Sequence, residues 1–302
     1  MRKDVTTVRK GVNQFSFPDS MAMADCFREA RRMGYDAFEV SMTLDDSSVK
    51  SSWSVAGDLG IAGYVNPMLN SASTDSDIDR LRRLAADEGM SICSVASVVP
   101  FMAFPLTSPD EATRLEGERF VHRMIEAAAI LGADTAMVIP GGALPDVSYE
   151  STYRWAQESL ARLCPKAEAL GVNLAVENVW NHFLYSPLEL TRFVDEIGSP
   201  NVGIYYDIAN SMILGYPEQW IRMFGHRIKK VHLKDFRLAV GNITGFTNLL
   251  DGDVDWLAVV RALREISYDG DMVVELIPPA KHHFLQTLRQ ASDAVDVILK
   301  ND

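Results

Sequence analysis

Short runs of β-branched and aromatic residues alternate with amphipathic stretches along most of the chain. The runs are clearest in the second half. Val172–Val176 reads VNLAV, Val202–Tyr206 reads VGIYY, Ile228–Val231 reads IKKV and Met272–Val274 reads MVV. A turn signal precedes each: Leu170-Gly171, Ser199-Pro200-Asn201, Gly225-His226 and Asp269-Gly270. The first half repeats the pattern less sharply, with strands expected at Gly11–Phe15, Ala37–Val40, Ser91–Val95 and Thr135–Ile139. Between them the 3.6-residue spacing of apolar positions predicts helices over Ala22–Met33, Asp77–Asp87, Glu111–Leu131, Thr152–Leu170, Pro187–Ile197, Pro217–Phe224 and Trp256–Ile266, with a closing helix over 284–300. Asp255 stands where an N-cap belongs.

Strands that alternate with helices argue for a parallel sheet covered by helices. Eight such units in 302 residues average about 38 residues each, near the size of a (β/α)8 barrel. The expected fold is therefore α/β, a single (β/α)8 TIM barrel domain over residues 1–302, with a doubly wound open sheet as the competing arrangement. Residues 41–76 are longer than one βα loop requires and rich in Ser, Asp and Gly. They read either as an insertion on the active-site side that acts as a lid or as a plain surface excursion.

Composition narrows the function classes. Apolar residues make up 47% and charged residues 23%, as in ordinary globular proteins. Cys26, Cys93 and Cys164 form neither a CxxC pair nor a disulfide framework, which fits a reducing, cytoplasmic compartment. The net charge of −12 argues against nucleic acid as a partner, because phosphates call for a basic surface. The short basic runs Arg80-Leu81-Arg82-Arg83 and Arg227-Ile228-Lys229-Lys230 read as solvated faces. No targeting segment is read at the N-terminus, and the apolar stretch Ala127–Leu131 is too short to span a bilayer.

The last four strands each end in a metal-capable side chain: Glu177, Asp207, His232 and Glu275. Their spacings are 30, 25 and 43 residues, each enough for one helix, one strand and two loops. In a barrel all strands point their C-terminal ends to one mouth, where active sites lie. Three carboxylates meeting there would repel one another unless a cation relieved them. Carboxylate and imidazole ligation without a thiolate suits one divalent ion, Mn²⁺ first among Mn²⁺, Mg²⁺, Co²⁺ and Zn²⁺.

The segments Val176-Glu177-Asn178-Val179-Trp180-Asn181, Tyr206-Asp207-Ile208-Ala209-Asn210, Lys230-Val231-His232-Leu233-Lys234-Asp235 and Val273-Val274-Glu275-Leu276 resemble the xylose-isomerase-like sugar isomerase and epimerase superfamily. The resemblance is nearest to its L-ribulose-5-phosphate 3-epimerase and hexulose-phosphate isomerase-like branch. Gly252-Asp253-Val254-Asp255-Trp256 also matches, and the likeness is strongest over about residues 170–280. It implies a barrel with one catalytic divalent metal on Glu177, Asp207, His232 and Glu275, and Glu177 and Glu275 as the acid/base pair. It further implies a small-molecule sugar substrate, proton transfer through an enediolate, and a homodimer or homotetramer.

Arg237 resembles an arginine that epimerases use to hold substrate oxygens. Asn210 stands where several relatives carry His. Asn178, Trp180, His182 and Glu39 are further candidates for substrate contact. Trp256 reads as mouth wall or as packing, and Lys281, His282 and His283 as a basic loop. The same scaffold also suits a lyase, a dehydratase or an enzyme that cleaves oxidised glycosides. A non-catalytic sugar-binding protein and an apurinic-site endonuclease are the more distant alternatives.

Overall fold

The computed structural model describes residues 8–45, 66–276, 280 and 282–300. Eight strands close a barrel: β1 (Lys10–Asn13), β2 (Ala37–Ser41), β3 (Ser91–Ser97), β4 (Thr135–Val138), β5 (Asn173–Glu177), β6 (Val202–Asp207), β7 (Ile228–Leu233) and, after a small hairpin of β8 (Asp235–Phe236) and β9 (Phe246–Thr247), β10 (Met272–Val274). All barrel pairings are parallel, and β1 joins both β2 and β10, so the sheet is closed and the open doubly wound arrangement does not occur. The helices are α1 (Met23–Arg32), α2 (Asp75–Asp87), α3 (Val99–Met102), α4 (Glu111–Leu131), α5 (Tyr149–Leu170), α6 (Pro187–Ile197), α7 (Ile208–Ser211), α8 (Pro217–Phe224), α9 (Trp256–Glu265) and α10 (Phe284–Lys300).

Local chemistry sets the boundaries. The Thr74 hydroxyl accepts from Asp77 N–H while Asp77 accepts back from Thr74 N–H, so α2 begins at Asp75, ahead of the expected Asp77. The Ser148 hydroxyl caps α5 by accepting from Ser151 N–H and brings its start forward from Thr152 to Tyr149. Asp255 caps α9 through Ala258 N–H, as its position implies. Strand β1 stops at Asn13 instead of Phe15, because the Asn13 carboxamide oxygen accepts from Ser16 N–H and turns residues 14–16 into a 3₁₀ turn.

Side chains alternate across each strand. Outward residues such as Val12, Phe38, Leu174, Ile204, Tyr206 and Val231 meet the helices in the main core. Inward residues fill the barrel in layers. Ala37, Cys93 and Val273 lie low. Ala96, Met137, Ile139, Ala175 and Tyr205 form a second cluster. The buried Lys230 ammonium reaches Asp271 and Asp134, and the Arg9 guanidinium makes a two-bond contact to Asp271.

The basic runs are neutralised. Arg80 pairs with Asp77, Arg82 and Arg83 with Asp79, and Arg227 with Asp195. Cys26, Cys93 and Cys164 are buried free thiols. Among the described residues no helix is long and apolar enough to cross a membrane. Most of the 41–76 segment, and with it the proposed lid, lies outside the described residues. Its described end is anchored: the buried Asn66 donates its amide to the Ser41 carbonyl and the Gln14 side chain.

Candidate metal centre and active site

Glu177 and Asp207 are the last residues of β5 and β6, His232 is the penultimate residue of β7, and Glu275 directly follows β10. Inward alternation and the stagger of the barrel bring them together. One ligand atom from each of the four lies within 4.8 Å of every other, and all four residues are buried. Three of the four also have a group behind them. Asp207 Oδ1 accepts from Asn210 N–H at 2.8 Å. Glu275 Oε1 accepts from the Asn13 carboxamide at 2.9 Å. His232 Nε2 lies 3.0 Å from Glu39 Oε1, which leaves Nδ1 facing Glu177 Oε1 at 2.9 Å and Glu275 Oε2 at 3.8 Å.

The donor set fits a divalent cation. The buried Asp207 Oδ2 has no aligned hydrogen-bond donor, although Lys234 Nζ stands 2.9 Å away within ion-pair reach. An oriented imidazole with a carboxylate behind it, and carboxylates each held by one oxygen, are the usual setting of a metal ligand.

Burial shapes the charges. It pushes the Glu177 carboxyl up to about 7, against the opposing pull of His232. Burial also pushes Glu275 up, but the Lys234 and His232 charges and the hydrogen bonds from Lys234 and Asn13 outweigh it and hold Glu275 below the usual carboxylate range. Burial disfavours the imidazolium of His232, yet Glu275, Glu39 and Glu177 raise it well above an ordinary histidine. In the metal-free protein the two glutamates thus differ: burial raises Glu177, and neighbouring charges lower Glu275.

The mouth holds a cavity of about 90 Å³ that opens to solvent. Glu177, Glu275, Asn210 and Lys234 supply its polar side, and Phe15, Phe101, Ile139 and Trp180 are among its apolar walls. Trp180 stacks on Phe246 at 5.0 Å between ring centroids and donates its indole N–H to the Asn210 carbonyl.

The other candidates divide between the pocket and its surroundings. Asn178 is buried and spends its carboxamide clamping β5 to β6, accepting from Asp207 N–H and donating to the Asp207 carbonyl. Asn210 donates to the Asn178 carbonyl while lining the pocket. Glu39 is 1% exposed, beneath the imidazole, with its second oxygen accepting from Tyr205 and Ser94 hydroxyls, so it supports His232 from below and does not line the mouth. His182 is exposed, with a left-handed backbone and its ring against Tyr185. Arg237 is exposed and gives its Nε–H to the Asp251 carbonyl. Trp256 is packing: it is buried and donates its indole N–H to Asp235.

Two groups escape a reading of strand ends alone. Lys234 is buried, 2.5 Å from Glu275 Oε2, and lines the pocket. Its signal is parity, since residue 234, directly after β7, continues the inward series of 230 and 232. Asp235 organises the loop beyond β7, accepting from Phe236, Leu250 and Val254 N–H and from Trp256. That explains the Gly252-Asp253-Val254-Asp255-Trp256 motif: a Cβ on Gly252 would lie 2.1 Å from Asp235 Oδ1.

A buried cluster of three carboxylates and one imidazole at the mouth of a parallel barrel makes a candidate metal centre of the sugar-isomerase kind. A sequence model of the xylose isomerase-like TIM barrel family matches residues 27–298, and the chain belongs to that family. An Escherichia coli (strain K12) protein with the provisional name L-ribulose-5-phosphate 3-epimerase is 27% identical over 68% of this chain and 77% of its own. The D-psicose 3-epimerase of Agrobacterium fabrum is 27% identical over 67% and 70%. The inosose dehydratase of Clostridium botulinum is 24% identical over 58% and 66%. Among solved structures, an L-ribulose 3-epimerase superposes with a TM-score of 0.76 at 20% identity over 97% of this chain and 95% of that one, a likeness of fold.

Proposed function

We propose that the protein is a divalent-metal-dependent epimerase of a ketose or ketose phosphate that inverts C3, with Glu177 and Glu275 as its acid/base pair. The observation that carries this reading is that two buried glutamates from different strands line one pocket beside Asp207 and His232. Its relatedness to 3-epimerases supports the same reading.

Glu177, Asp207, His232 and Glu275 would hold the ion, with Mn²⁺ first among candidates. When bound, such a cation supplies Lewis-acid stabilisation of the negative charge that develops on the sugar's carbonyl oxygen. The rest is work for the chain. One glutamate takes the proton beside the carbonyl, and the other returns one to the opposite face of the enediolate. Positioned acid/base groups of this kind contribute about 10²–10⁴-fold. Trp180, Phe101 and Phe15 exclude water from the planar intermediate.

A second reading, a dehydratase, is favoured by the inosose dehydratase relatives. It begins with the same proton abstraction and ends with loss of a hydroxyl. Mass spectrometry of products from a panel of free and phosphorylated ketoses with Mn²⁺ separates the two. A new ketose of unchanged mass, separated from its substrate by chromatography, supports epimerisation, and products lighter by one water overturn it in favour of elimination.

A further inference from the structure

Among the groups at the mouth, Lys234 is a cation outside the ligand set. Its side chain is 6% exposed, and its Nζ lies 2.5 Å from Glu275 Oε2 and 2.9 Å from Asp207 Oδ2. Those are the oxygens that the supporting residues leave over, since Asn210 N–H occupies Asp207 Oδ1 and the Asn13 carboxamide occupies Glu275 Oε1. A divalent ion on the four ligands would need the same two atoms at about 2.0–2.2 Å. An ammonium and a divalent ion cannot both sit against one pair of oxygens in a buried site without strong repulsion. Lys234 also stands 4.7 Å from the centre of the Phe246 ring, on the pocket wall, so its head has an aromatic face within reach that needs no carboxylate.

We propose that Lys234 is a built-in counter-ion that competes with the divalent cation for Asp207 and Glu275, so the centre alternates between a lysine-paired and a metal-loaded state. The inference rests on the metal centre of the preceding section. Without metal, the ammonium and the imidazole offset the buried carboxylates. With metal, the lysine yields both oxygens and stays in the pocket. The cost of displacing it makes metal binding weaker and more reversible than the four ligands alone would give.

The test is Mn²⁺ titration of the full chain by calorimetry, without sugar, for the wild type and Lys234→Met. Methionine keeps the length and apolar stem and removes the charge. The variant is expected to bind Mn²⁺ at least about tenfold more tightly and to melt lower only when metal-free. An affinity equal to or below that of the wild type overturns the proposal. A second measurement needs no variant: reductive methylation of wild-type lysines, read by mass spectrometry. Saturating Mn²⁺ is expected to speed modification of Lys234 several-fold relative to other lysines, and equal rates with and without metal overturn the proposal. If the wild type binds no Mn²⁺, this inference falls together with the metal centre. If it binds and Lys234→Met leaves the affinity unchanged, only this inference falls.

Discussion

His232 Nε2 and Glu39 Oε1 are 3.0 Å apart at the centre of the barrel, one residue wholly buried and the other 1% exposed. This contact fixes which ring nitrogen faces the carboxylate cluster. Glu39→Gln keeps the shape and removes the charge that holds the imidazole in place. The variant is expected to bind Mn²⁺ about 10–100-fold more weakly by calorimetry while remaining folded. Unchanged affinity would mean that the contact has no part in metal binding.

Metal binding should release protons. The folded metal-free protein holds the Glu177 proton up to about 7, and His232 holds its proton well above the ordinary histidine range. Both must be given up to a cation, so apparent affinity rises with pH through neutrality. Calorimetry in buffers of different ionisation enthalpy should count more than one proton released near pH 6 and fewer as pH rises.

The same groups set the metal-free stability. Glu177 and His232 bind protons more tightly in the folded than in the unfolded chain, so stability falls as pH rises through their folded values. Glu275 is held low and acts with the opposite sign, its contribution lost as pH falls below the ordinary carboxylate range. Denaturant midpoints of metal-free protein should therefore decline from about pH 6 to 8, and saturating Mn²⁺ should remove the decline.

Gly252 sits against Asp235. A methyl group there would overlap Asp235 Oδ1 and lie 2.7 Å from Phe236 N, which is backbone and cannot swing away. Gly252→Ala is expected to cost about 2 kcal/mol or more in equilibrium unfolding and to lower activity through the loop it disorders. Stability and activity like those of the wild type would show that the loop adapts freely.

Much of this was open to a reader of the sequence, and the reasons are physical. Glu177, Asp207, His232 and Glu275 each close an apolar run at the same place in successive units, and a barrel turns equal places into one cluster. Helices 111–131 and 187–197 fall where their apolar spacing puts them, between side-chain caps and glycine stops, and 217–224 falls between Pro217 at its first position and Gly225. The depth of a strand end is another matter. Glu39 looks like a strand end in the sequence, but β2 runs on to Ser41, and the mid-strand position leaves Glu39 below the imidazole. Asn178 and Asn210 look like substrate contacts in a linear motif, yet their carboxamides join β5 to the turn after β6. The β8–β9 hairpin is too short to carry a period, and the role of Asp235 emerges only when the loop folds back on it.

The central claim is that Glu177 and Glu275 pass a proton across one carbon of a ketose beside a shared cation. The most direct measurement is NMR of ketoses and ketose phosphates incubated with the Mn²⁺-loaded protein in D₂O. One deuterium at C3, appearing in both epimers and lost on Glu177→Gln or Glu275→Gln, is the predicted result. Turnover of a ketose with no solvent deuterium at C3, or exchange that survives removal of both carboxylates, would contradict it.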